Sequence, residues 1–149
     1  MVDHEQYMRI ALEEAERGAA EGNVAVGSVL VDGHKVVARG RNLVISTSDP
    51  TAHAETVALR HAGEQLGHTD FSDLTLYTTF EPCPMCCGAI LASGVRVLVM
   101  GARYDLKESR WGRYTVESLL DLTNSAGQLI VITGVLTQAC TDVRQLEAE

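Results

Sequence analysis

Aromatic residues are scarce in this chain: two Phe, four Tyr and one Trp make up 5% of its 149 residues. That scarcity points to a core packed with aliphatic side chains. A long apolar run is also lacking. None approaches the roughly 20 residues that cross a bilayer as a helix, so a membrane is not an expected partner. The N-terminus, M-V-D-H-E-Q-Y-M-R-I, carries acid where a secretory signal carries a basic segment. Four cysteines, three of them crowded together, do not make a disulfide framework at this length. A reducing cytoplasm is the expected location. Repeats, low-complexity tracts and long linkers are missing too, so residues 1–149 are expected to form one domain with a substantial core.

Positive charge is the remaining deficit. Twelve Lys and Arg stand against twenty Asp and Glu, a net charge of −8. Such a surface repels a polyanion unless a local basic patch overrides it. Arg96, Arg103, Lys107, Arg110 and Arg113 come close together in the chain, but Asp105 and Glu108 dilute them. On charge, a solvated face is the expectation and nucleic acid is not an expected partner.

What the sequence does have is clear periodicity. Tyr7, Ile10, Ala11, Ala15 and Ala19 share a helical face over residues 3–21, which Gly22-Asn23 stops. The apolar run 24–31 reads as a strand. Asp32-Gly33 signals a hairpin returning through K-V-V-A-R-G-R-N. Asp49-Pro50 is expected to open a helix, with Pro in its first turn, that ends near Gly67. A strand over 73–80, a short helix closed by Gly94 and a strand through V-R-V-L-V-M-G-A follow. Then come a loop with Tyr104 and Trp111, a helix near 115–122, a strand near 128–133 and a helix near 137–147. This order predicts an α/β fold: a three-layer α/β/α sandwich over a mixed five-stranded sheet, with 73–101 forming a parallel crossover.

Chemistry concentrates at residues 81–87, E-P-C-P-M-C-C. Cys83-Pro84-Met85-Cys86 follows a strand and opens a helix, where unpaired N–H groups stabilise thiolates. Alone, this spacing is ambiguous: it favours a metal site over either a redox pair or a core. Zinc needs a further ligand, and T-A-H-A-E at 51–55 offers one. His53 supplies a neutral nitrogen, and Glu55 a carboxylate for proton transfer. Taken singly, His53 reads as a surface or capping residue and Glu55 as a first-turn acid facing the helix dipole. Taken together, His-x-Glu and Pro-Cys-x-x-Cys each sit at a predicted helix start, where N–H groups suit anionic ligands and intermediates.

His53-Ala54-Glu55 with Pro82-Cys83-Pro84-Met85-Cys86 resembles the zinc nucleobase-deaminase signature H-x-E…P-C-x-x-C. The sequence is similar to the cytidine deaminase-like superfamily, in the branch holding cytosine deaminase, guanine deaminase and tRNA adenosine deaminase. The resemblance runs from the first helix to about Ala102. The family's E-x-P-V-G stretch departs here, reading Glu21-Gly22-Asn23-Val24-Ala25-Val26-Gly27 without the proline.

The resemblance implies Zn2+ held by His53, Cys83 and Cys86 with water as fourth ligand, and Glu55 as the catalytic proton shuttle. It implies Asn42 as the residue orienting the base, with backbone groups of Ala54, Glu81 and Cys83 near the substrate. Tyr104 or Trp111 is a candidate for stacking on a planar base. Cys87 falls outside the ligand pattern and reads as core. Relatives of this branch imply a homodimer. Because of the charge, the expected substrate is a small free heterocycle (cytosine, guanine or an aminotriazine) releasing ammonia. The alternative is an adenosine-to-inosine editing enzyme acting on tRNA.

Overall fold

Strand residues of this chain feed two apolar faces, and that decides the architecture. The computed structural model describes residues 2–148. Five strands, β1 Gly27–Asp32, β2 Lys35–Arg41, β3 Thr75–Phe80, β4 Val97–Ala102 and β5 Ile130–Ile132, form one sheet in the order β2-β1-β3-β4-β5. The β2-β1-β3 part is antiparallel and the β3-β4-β5 part parallel, so the sheet is mixed, as expected.

Alternation sends Val29, Val31, Tyr77 and Val99 to one face, against Tyr7 and Met8 of helix α1 (His4–Ala20) and Cys140 of helix α6 (Thr137–Arg144). Leu30, Leu76, Leu98 and Met100 face the other way. There they meet helices α3 (Ala54–Leu66), α4 (Pro84–Ser93) and α5 (Val116–Leu122). The result is the three-layer α/β/α sandwich. A short helix α2 (Val44–Thr47) links β2 to α3, and a 3-10 turn, Gln145–Ala148, follows α6. Among the described residues no helix is long and apolar enough to cross a membrane.

Glycines let the helices sit directly on the sheet. A Cβ on Gly27 would lie 1.9 Å from the Ala11 carbonyl oxygen of α1. One on Gly40 would lie 2.3 Å from the Ala54 carbonyl oxygen of α3, and one on Gly101 2.2 Å from Cys140 Sγ. Glu14, 2% exposed, further ties α1 to the hairpin through Arg39 and Arg41.

Three local expectations are corrected. The strand read from residue 24 begins only at Gly27, because Val26 N–H bonds back to the Val24 carbonyl in a tight turn. Asp49-Pro50 does not open a helix. The Asp49 carboxylate accepts from Thr51 N–H at 2.8 Å and Thr51 Oγ1 at 2.6 Å, closing a turn that keeps the chain out of a helix until His53. Helix α2 was not expected. Its second and third N–H groups, those of Ile45 and Ser46, are satisfied from afar by Asn23 Oδ1.

Candidate metal centre and active-site cavity

His53 and Cys83 occupy equivalent places on neighbouring helices. Each is the N-cap, of α3 and α4 respectively, with extended backbone (ψ 160° and 171°), and neither side chain caps its own helix. The sequence enforces both positions. The Asp49 turn delays α3 to Ala54, and Pro84, having no N–H to satisfy, starts α4 immediately after Cys83. Cys86 lies three residues on, on the same helix face as Cys83. Gly94 at φ 79° ends α4.

The two helix starts converge. His53 Nδ1 is 3.5 Å from Cys83 Sγ and 3.6 Å from Cys86 Sγ, and the three donor atoms all lie within 4.8 Å of one another. A tetrahedral ion with ordinary Zn–N and Zn–S bonds separates a nitrogen from a sulfur ligand by about 3.6 Å. The spacing and the donor set, one imidazole and two thiols with a fourth position left over, therefore fit zinc. His53, Cys83 and Cys86 are thus positioned to bind a metal ion. All four cysteines are free thiols in the structure.

Electrostatics inside the cluster are strongly skewed. Hydrogen bonding from Cys86 and His53 draws the Cys83 thiol down to about 4, while Cys86 is pushed up by sharing its proton with Cys83 and by burial. His53 is raised, chiefly by its bond to Cys83. Thiolate character is already present where a cation would bind. Glu55, 4% exposed, is pushed up to about 7 by burial, with the Cys83 charge adding to it.

A cavity of about 410 Å³ opens over this cluster. Of the site residues singled out in the sequence, Asn42, His53, Ala54, Glu55, Glu81, Cys83, Tyr104 and Trp111 line its wall, while Cys86 lies buried beneath it. Asn42 is 5% exposed, and its Oδ1 accepts from Val44 N–H at 3.0 Å, which fixes the amide plane. Tyr104 packs edge-on against Phe80 at 4.8 Å, so its ring is part of the wall. Trp111 carries the Arg110 guanidinium 4.5 Å from its ring centroid.

Glu81 lines the cavity and also has partners outside it. Its backbone N–H is paired with the Ala102 carbonyl and its carboxylate bonds Arg103, Tyr104 N–H and Val116 N–H. Its role is one of holding chain segments together. Cys87 and Cys140 are both fully buried in the two cores. The sequence reading missed Val24, Val26, Phe80 and Arg144 as wall residues. Of these, Val24, Val26 and Arg144 carry no local signal, since only the folding of distant segments brings them to the cavity.

Comparison with known proteins agrees with this geometry. Residues 1–102 match the family described as the cytidine and deoxycytidylate deaminase zinc-binding region. The tRNA-specific adenosine deaminase of Haemophilus influenzae is 42% identical over 138 residues, covering 92% of this chain and 78% of the relative. That of Bacillus subtilis is 38% identical over 140 residues, covering 94% and 85%. A solved structure from studies of A-to-I editing by tRNA:A34 deaminases superposes with a TM-score of 0.80 at 33% identity, covering 93% of this chain and 98% of that one. Guanine deaminase from Nitrosomonas europaea superposes with a TM-score of 0.85 at 29% identity, covering 100% and 87%.

These relatives overturn the free-heterocycle expectation. Curated relatives alike over more than nine-tenths of the chain are named for tRNA, so the net charge gives no ground for setting nucleic acid aside. The physical error lay in treating −8, a sum over the whole surface, as a property of the cavity mouth. With its zinc ligands assembled at two helix starts and two-thirds of its length matching the family, the chain belongs to the zinc-binding cytidine and deoxycytidylate deaminase family.

Proposed function

We propose that this protein is a zinc-dependent hydrolytic deaminase that converts adenosine to inosine in transfer RNA. The observation that carries the reading is the likeness to tRNA-specific adenosine deaminases over more than nine-tenths of the chain. A cavity of about 410 Å³, wide enough for one extruded base, opens directly over the metal ligands and supports it.

His53, Cys83 and Cys86 hold the metal. Zinc held there would supply a water activated as a nucleophile near neutral pH. The chain's own residues do the rest. Glu55, buried beside the ligands and poised at about 7, accepts a proton from the water and passes it to a ring nitrogen of the adenine. That protonation makes C6 electrophilic. Once the water oxygen has bonded to C6, Glu55 takes the remaining hydroxyl proton and gives it to the amino group as the C6–N bond breaks, so the balance is adenosine plus water going to inosine plus ammonia.

Asn42, with its carbonyl oxygen committed to Val44 N–H, presents its amide to the base edge. Backbone at Ala54, the first residue of α3, lies at the same wall. Trp111 offers a flat face on which a base stacks, at about 1–3 kcal/mol per contact.

The test is direct. Zinc-loaded protein incubated with an anticodon stem-loop RNA bearing adenosine should yield inosine by mass spectrometry. Glu55→Gln should keep its zinc and lose at least about 100-fold in kcat. Zinc-replete wild-type protein that forms no inosine in any such RNA would refute the reading.

A further inference from the structure

Between the end of β4 and the first turn of α5 the chain makes an excursion, from Arg103 to Val116, with no strand or helix of its own. Tyr104, Glu108, Ser109, Arg110 and Trp111 of this loop form one wall of the cavity. Both of its ends meet a single carboxylate. Glu81 Oε1 accepts from Arg103 Nε at 3.2 Å and from the Tyr104 backbone N–H at 3.1 Å. Glu81 Oε2 accepts from Arg103 Nη2 at 2.9 Å and from the Val116 backbone N–H at 2.9 Å.

Four donors thus saturate a carboxylate that is 2% exposed, and two of them are main-chain groups from opposite ends of the loop. An ion pair serving only to neutralise Arg103 would not need both. Arg103 has a second partner in Glu117, so its charge is answered on the outside as well. The neighbouring residues add to the tie. Tyr114 Oη donates to the Pro82 carbonyl at 2.6 Å, and Tyr104 sits edge-on between Phe80 and Tyr114. Phe80, Glu81 and Pro82 immediately precede the ligand Cys83.

We infer that Glu81 is a positioning residue: its carboxylate clasps both ends of the 103–116 loop and locks the Trp111 wall to the metal-bearing turn. This rests on reading the cavity as the substrate site. Closed ends leave the loop little freedom, as in compact Ω-loops whose termini meet. A wall held by buried, charge-assisted bonds is set before substrate arrives, so binding does not have to order it. Glu81 touches no reacting group, and its loss acts through the loop.

Glu81→Gln keeps the side-chain shape, loses the charge and replaces one acceptor oxygen by a donor. Trp111 is the chain's one tryptophan, so its fluorescence reports the loop without any turnover. In zinc-replete protein, Glu81→Gln should raise acrylamide quenching of Trp111 about two-fold and raise KM for the RNA about five-fold or more, with kcat changed less than about two-fold. Arg103→Ala, which leaves the two main-chain bonds in place, should move both readouts the same way by less.

A folded Glu81→Gln protein with wild-type quenching and KM would overturn the inference, as would a loss confined to kcat. Loss of zinc from Glu81→Gln would overturn it too, by making Glu81 a support of the metal turn. Should Glu81→Gln not fold, Arg103→Ala decides alone, and wild-type behaviour in it defeats the clasp. Wild-type protein inactive on RNA would sink the substrate reading and leave the clasp to the Trp111 signal.

Discussion

At the residue scale, placement relative to a helix end outweighs residue type. Glu55 is an ordinary first-turn glutamate by sequence, yet it is 4% exposed and held near 7. This has a consequence for stability. Its folded value lies above the ordinary 4.5, so native protein holds the proton more tightly than unfolded chain. The stabilisation is complete below 4.5 and is lost as pH rises through about 7. In metal-free protein, Glu55→Gln should therefore gain on wild type as pH rises, by about 2.5 kcal/mol between pH 5 and pH 8. Denaturant melts of both proteins at the two pH values measure it, and a pH-independent difference would show that Glu55 ionises freely. Glu55 and His53 were legible from the H-x-E spacing. Glu81 was legible only as a neighbour of Cys83, because nothing local tells that its carboxylate reaches Val116, 35 residues away.

At the scale of elements, the sheet and most helices follow from periodicity and punctuation. Gly33, Gly67 and Gly94, all at positive φ, mark the hairpin and two helix ends. What periodicity misses is where α3 starts, since Asp49 captures Thr51 in a turn instead of a helix. The delay matters, because it leaves His53 as an N-cap facing Cys83 rather than a residue inside a helix. The contact of α3 with β2 at Gly40 fixes the height of that helix over the sheet. Gly40→Ala would push a methyl group onto the Ala54 carbonyl, at 2.3 Å, and the Ala58 N–H, at 2.5 Å. Backbone on that side cannot yield as a side chain does, so the variant should lose about 1–3 kcal/mol or more. It should also bind zinc more weakly, because Ala54 adjoins His53. Denaturant unfolding and metal titration test this together, and a variant with native stability would show that α3 slides freely over β2.

At the scale of the whole molecule, charge is the feature that misled. The chain carries −8 in total, but the cations bordering the cavity are local: Arg110 and Arg144 at the wall, with Lys107 and Arg113 on the same loop. At most about four phosphate contacts are available there, so log KM for RNA should rise with log salt with a slope no steeper than about 3. Kinetics between 50 and 200 mM salt (roughly the range over which such slopes are read) give the value. A slope of about 6 or more would place the RNA on another surface.

The layered fold was legible in the sequence, and the candidate metal donors followed from motifs that resemble a known family. Apolar periods, glycine stops and the His-x-Glu and Pro-Cys-x-x-Cys spacings are local patterns, and local patterns survive without knowledge of distant contacts. Tertiary structure alone decided the 3.5 and 3.6 Å approach of His53 to the two sulfurs, the burial that lifts Glu55, and the clasp of Glu81 on the loop. It also decided that Arg144 of the C-terminal helix reaches a cavity built around residue 53. Each of these joins segments far apart in the chain, and such distances are set by how helices settle on the sheet, which no short stretch encodes.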